Sequence, residues 1–114
     1  MLVKRFHEAP SYNAQNHFDC KALRLQGFEP GGPESCWVGL SHFLPSGGAG
    51  PDSSTFEKIY VVLSGIITVI ADGREVELGA LDSCTIKPDV VRQVLNKTNA
   101  VASMLVIMPY PEKR

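Results

Sequence analysis

Lys58 and Tyr60 stand two residues apart in the run Glu57-Lys58-Ile59-Tyr60-Val61-Val62-Leu63-Ser64-Gly65. The run reads as a strand, so an ammonium and a phenol share one face while Glu57 takes the other. Arg92 lies in a second run, Ile86-Lys87-Pro88-Asp89-Val90-Val91-Arg92-Gln93-Val94-Leu95-Asn96. An arginine grips a carboxylate or phosphate through its planar fork, and a lysine adds a point charge. A lysine beside another cation also loses proton affinity, and can then serve as a general base or an imine-forming amine. His42, in Gly39-Leu40-Ser41-His42-Phe43-Leu44, is a further candidate to line such a site. A histidine alone is more often a hydrogen-bonded structural residue than a ligand. His7 and His17 fall in the loop-rich N-terminal segment without partner spacing and read as surface residues.

Nearly every segment that could position these side chains shows the alternation of a half-buried strand, and none keeps a helical period for ten residues or so. The chain reads as all-β. Ile66 to Ala71, then Asp72-Gly73, then Arg74 to Leu78 is a hairpin, because Asp-Gly tolerates the positive φ angles of a two-residue turn. Further strands are expected at Lys21 to Gln26, Cys36 to Leu44, Lys58 to Leu63, Ser83 to Ile86, Arg92 to Leu95 and Ala102 to Met108. Eight short strands imply a barrel or sandwich. Pro30-Gly31-Gly32-Pro33 and Pro45-Ser46-Gly47-Gly48-Ala49-Gly50-Pro51 read as loops between strands, the second as the mouth of a pocket. The tail from Tyr110 to Arg114 is expected to fray.

With 114 residues the chain is expected to form one domain with one core. A net charge of −1 and no cationic stripe exclude a nucleic-acid backbone as partner. The apolar runs are far short of the roughly 20 residues that cross a bilayer, so a membrane is excluded and the cytoplasm is the default location. Cys20, Cys36 and Cys84 are odd in number and lack CxxC spacing, which points to free, packed thiols. Trp37 reads as a core or interface anchor.

The order of parts resembles a cupin: a Pro/Gly-rich loop, a strand ending Val-Leu-Ser-Gly, a hairpin, Leu78-Gly79-Ala80-Leu81-Asp82, then a Pro-containing turn with Arg92 and Asn96 after it. The resemblance covers about Cys36 to Pro109 and implies a double-stranded β-helix, a jelly-roll barrel, in a single domain whose residues 1–20 form an N-terminal arm. In that family the first motif runs Gly, His-x-His, Glu, six residues, Gly, and the second carries Pro, Gly, His and Asn. Counted back from Gly65, the carboxylate position falls on Lys58 and the histidine positions fall near Asp52 and Ser54. The second motif's histidine falls on Arg92, its glycine on Asp89, and Asn96 is retained. All four expected metal ligands are thus replaced.

Two permanent cations would repel a divalent ion, so the expectation is no metal cofactor. The alternative is a divalent transition metal held by His42 and Glu57, as in a dioxygenase-like cupin. If Lys58 and Arg92 share the barrel interior, two buried like charges call for an anion between them, and the barrel is expected to bind a small acidic metabolite through Lys58, Arg92, Tyr60 and His42. Whether it is an enzyme stays open at this point. A lyase, decarboxylase or isomerase acting on an oxo-acid would use the same side chains as acid, base and carboxylate clamp. The plainer alternative pairs Lys58 with Glu57, Asp52 or Asp82. The family resemblance also implies a homodimer, with Leu2 to Arg5 as an added strand.

Overall fold

A computed structural model describes residues 1–110, so residues 111–114 of the expected frayed tail lie outside the described residues. It holds nine strands: β1 (Ser11–Tyr12), β2 (His17–Gln26), β3 (Cys36–Asp52), β4 (Lys58–Ser64), β5 (Ile67–Ala71), β6 (Arg74–Leu78), β7 (Ser83–Ile86), β8 (Arg92–Leu95) and β9 (Ala102–Pro109). A 3-10 turn at Phe6–Glu8 precedes them, and no α-helix occurs among the described residues. Consequently no described helix is long and apolar enough to cross a membrane.

All nine strands join one antiparallel sheet in the order β6-β5-β8-β3-β9-β4-β7, with β2 paired to β3 and β1 to β2. The sheet rolls into a nearly closed jelly-roll barrel whose two end strands are β6 and β7. Inside it Phe43, Val62, Ile67 and Val94, each under 2 % exposed, form the packed centre. The hairpin at Asp72-Gly73 forms as its residues dictate: both adopt positive φ, 54° and 70°, and Ala71 pairs with Arg74. Leu2 to Arg5 is not a strand within this chain.

The main departure from the sequence reading is β3. The Pro/Gly segment 45–51 is not a loop: β3, 17 residues long in all, runs through it to Asp52. Its first half pairs with β9, from Cys36↔Pro109 to Phe43↔Ala102. Its second half pairs with β8, at Gly48↔Leu95, Ala49↔Val94 and Asp52↔Arg92. β3 therefore crosses from one wall of the barrel to the other. Glycine makes the crossing sterically possible: a side chain at Gly47 would run into the Asp19 carbonyl, and one at Gly48 into that of Val94.

Asn96 fastens the crossing. Its side chain is 1 % exposed, and its Nδ2 donates to the carbonyls of Phe43 (3.0 Å), Leu44 (3.3 Å) and Ala100 (2.8 Å), while its Oδ1 accepts from the Thr98 backbone (3.0 Å) and hydroxyl (2.8 Å). Its own backbone accepts from Ser46 N and donates to Gly47 O. Orphaning buried carbonyls costs about 1–3 kcal/mol for each group left unpaired. Asn96→Ala is expected to lower the urea midpoint by the equivalent of roughly 2–4 kcal/mol with the m-value unchanged, and Asn96→Asp, which cannot donate, to fall in the same range. Equilibrium denaturation checks both.

Candidate functional site

On β4 the alternation is sharp: Lys58, Tyr60 and Val62 are 7 %, 4 % and 0 % exposed, while Ile59 and Leu63 face outward. Lys58 and Tyr60 thus point into the barrel. Arg92 opens β8 opposite Asp52 of β3 and Ala71 of β5, and is also 7 % exposed. Its Nε donates to the Tyr60 hydroxyl at 2.8 Å and its Nη1 to the Gly50 carbonyl at 2.9 Å. Neither bond neutralises the guanidinium.

Lys58, Tyr60 and Arg92 line a single cavity of about 540 Å³. No Asp or Glu is among the described residues that line it. The ion pairs among the described residues, Lys4–Glu29, Lys87–Glu57 and Lys97–Glu75, leave both buried cations without a carboxylate partner. None of the acids that could have paired with Lys58 is within ion-pair distance of it. Glu57 holds Lys87 at 3.0 Å on the exposed side, Asp52 accepts from the Ser53 backbone, and Asp82 accepts from the Gly79 backbone.

Electrostatics follow from this enclosure. Burial pushes the Lys58 pKa below its usual 10.5 and Arg92 pushes it further the same way, with Asp52 pulling weakly back. Burial also raises the Tyr60 pKa above 10.0 against the opposing pull of Arg92, so the phenol keeps its proton. Because the Tyr60 oxygen accepts from Arg92, that proton is available to a third group.

His42 lies outside the cavity, contrary to the expectation that it would line the pocket. Ser41 and Phe43 of β3 face inward, so parity turns His42 out, where its Nδ1 meets the Ser103 hydroxyl at 2.7 Å and its ring meets Phe6 edge-on. Glu57 is turned away for the same reason. The metal-ligand pair His42 and Glu57 therefore does not converge, and among the described residues no three His, Cys, Asp or Glu side chains gather to hold an ion. The positions where the family carries its ligands do not fit a divalent metal.

His17, read from the sequence as a surface residue, lines the cavity instead. Counting by twos from Arg24, which lines the cavity, through the core-packed Cys20 would turn Phe18 in and His17 out. A bulge at Asp19, with φ 47° and a register shift between Phe18 and Cys20, reverses the faces. Phe18 ends 41 % exposed, and His17 stacks on Phe43 with ring centroids 6.2 Å apart. Its Nδ1 lies 2.7 Å from the Gln15 carbonyl. No local signal in the sequence announces this bulge.

Also in the lining, Arg24 sits over the rings of Tyr12 (4.8 Å) and Phe28 (4.3 Å), the latter packed on Trp37, with its Nε buried and unbonded. Cys84 faces a separate hollow of about 270 Å³ between β6 and β7, where burial raises its thiol pKa. All three cysteines are free.

The fold and the inward motif positions define a class. The family model described as a cupin domain matches residues 39–108, and the chain belongs to the cupin family. A protein of Mycobacterium tuberculosis named a β-D-galactosidase is 40 % identical over 111 residues, covering 97 % of this chain and 96 % of that one. Among solved structures, a polyketide cyclase from Streptomyces resistomycificus is similar with a TM-score of 0.86 at 16 % identity, over 100 % of this chain and 82 % of that one. A predicted oxalate decarboxylase from Thermotoga maritima gives 0.81 at 18 % identity, over 97 % and 100 %. At those identities the structural likeness carries the fold alone.

An unpaired buried cation opposes folding, and replacing buried charge with a fitting apolar chain commonly stabilises by about 1–4 kcal/mol. Lys58→Met is expected to raise the urea midpoint of the ligand-free protein at pH 7. Since the folded Lys58 pKa lies below 10.5, the unfolded chain binds the proton more tightly, and the wild type gains stability as pH rises toward 10.5. The gap between variant and wild type should therefore narrow with pH, as denaturation at a series of pH values would measure.

Proposed function

We propose that the barrel receives a small acidic metabolite whose carboxylate or phosphate sits between Lys58 and Arg92, with Tyr60 donating to it. One observation carries the reading: two buried cations face the same cavity, and no Asp or Glu among the described residues lines that cavity. A bound anion supplies the missing counter-charge, and the Arg92 fork, whose Nη2 has no hydrogen-bond partner among the described residues, offers it a directional grip. No metal is part of this reading. A cytoplasmic setting agrees with three free cysteines.

The relative named a β-D-galactosidase favours a second reading, a glycoside ligand. Trp37 and Tyr12 put aromatic rings into the cavity lining, the kind of surface on which a sugar packs. The usual hydrolytic route, however, needs a pair of carboxyl groups flanking the scissile bond, and the described lining has none. A sugar that carries an acidic group satisfies both observations.

We also propose a homodimer. Ile59 and Leu63 on the outer face of β4, with Leu2, Val3 and Phe6 of the N-terminal segment, expose apolar surface that a second copy would cover. Sedimentation at micromolar concentration is expected to give the mass of two chains, and a monomer there rejects it.

Thermal shift against dicarboxylates, oxo-acids, sugar phosphates and galactosides tests the ligand class. At a hundredfold excess over Kd a ligand stabilises by about 2.7 kcal/mol, a shift of several degrees for a chain of this size. At least one acid is expected to raise the wild-type Tm, and Arg92→Ala and Lys58→Met to lose that rise. No response to any acid, or an equal response in Arg92→Ala, rejects the acid reading, and a response to neutral galactosides alone selects the second.

A further inference from the structure

We infer that His17 is the proton acceptor of this cavity, and that the acid it serves is a 2-oxo acid whose C3 hydrogen it removes, so that the protein catalyses enolisation of its bound ligand. The inference rests on the acid-binding reading above and deepens it from binding to chemistry.

The state of the imidazole follows from one bond. A carbonyl oxygen can only accept, so the 2.7 Å contact with Gln15 O requires the hydrogen on Nδ1 and leaves the lone pair on Nε2. The ring is also held in place, stacked within 15° of parallel on the fully buried Phe43. The charged groups that act on it are Lys58 from β4, Arg92 from β8 and Asp52 from β3; burial is the first cause that lowers its pKa and the two cations act the same way, against the Gln15 bond and Asp52.

Its neighbours in the lining are of the opposite kind. Arg92 and Arg24 only donate, Lys58 as the ammonium that binds the acid does the same, and the Tyr60 oxygen is already engaged by Arg92. The remaining polar lining consists of Tyr12, Asn13, Gln15 and Ser41, none with a basic site near neutral pH. A ligand that suits this set has an anionic group for the cations, a carbonyl oxygen for the Tyr60 hydroxyl, and a hydrogen to surrender to Nε2.

A 2-oxo acid supplies all three. The C3–H bond breaks and the proton passes to Nε2. The electron pair forms the C2–C3 double bond, and the carbonyl π pair moves to oxygen, where Tyr60 O–H stabilises the enolate. Return of the proton from imidazolium restores the acid, and no oxidant or co-reactant enters.

The test uses the whole protein in D2O with pyruvate, 2-oxobutyrate, oxaloacetate and 2-oxoglutarate. Loss of the C3 proton signal is followed by NMR, and binding of the same acids by thermal shift. His17→Asn keeps a donor for the Gln15 carbonyl and removes the base. Wild-type exchange is expected to exceed that of His17→Asn by about 10²-fold or more, with acid-induced stabilisation retained in the variant. The wild-type rate should rise with pH through a pKa below 6.5 and then level off. Binding without exchange above buffer, or equal exchange in His17→Asn, overturns this inference and leaves the acid-binding reading standing. Failure of all four 2-oxo acids to bind overturns this inference alone, and failure of the dicarboxylates and sugar phosphates as well overturns both.

Discussion

A guanidinium held inside a barrel by a phenol and a backbone carbonyl is the arrangement on which the rest of this site depends. Arg92 is anchored by Tyr60 and Gly50, and both partners leave its charge intact. A carboxylate in either place would have produced a buried ion pair, structurally quiet and closed to ligands. The neutral acceptors keep the cavity positive, and the Tyr60 oxygen, by accepting from Arg92, commits its own hydrogen outward. One hydrogen bond thus fixes a cation, orients a donor and leaves a charge unmet.

That bond needs two strands that are not neighbours to bring their side chains to one point, and β3 is what makes this possible. Tyr60 comes from β4, which pairs with β7 and β9, while Arg92 comes from β8, which pairs with β3 and β5. Only a strand long enough to pair with β9 in its first half and β8 in its second can couple these walls. Its glycines allow the close crossing, Asn96 ties its middle to the turn after β8, and Gly50 near its end presents the carbonyl that receives Arg92. The retained asparagine serves the fold, and through the fold it serves the site.

Much of this was legible in the chain because local and global preferences agree. The strands at Ser83–Ile86 and Arg92–Leu95 have the bounds that alternation and breakers assign them, and Asp72-Gly73 turns where its conformational freedom says it should. The cupin resemblance placed Lys58 by counting back from Gly65 and Arg92 by its position in the second motif, and parity then carried Tyr60 with Lys58. The failures share a cause. The segment 45–51 has the composition of a loop, but its glycines are there for contact with neighbouring strands that a local reading does not see. His17 was hidden because β2 begins at it rather than at the expected Lys21, and because the bulge at Asp19 inverts the faces of its first residues. The His42 expectation ran aground on the same rule of alternation, applied to a strand whose inward set was not yet known.

The replacement of metal ligands by fixed cations changes what the cavity can do with its own histidine. A divalent metal would take up an imidazole lone pair, whereas Lys58 and Arg92 act on His17 only through their field, lowering its proton affinity and leaving Nε2 unshared. Burial is the first cause of the lowered His17 pKa, and the field of Lys58 and Arg92 that adds to it is the one that attracts an acid. In the proposed complex an anion between the cations offsets their charge at the imidazole and removes that part of the lowering, while the part due to burial remains. On that proposal, binding of the acid strengthens the base it is meant to meet. Two groups that would be a liability to the empty barrel thereby couple binding to basicity, with no moving part beyond the ligand itself.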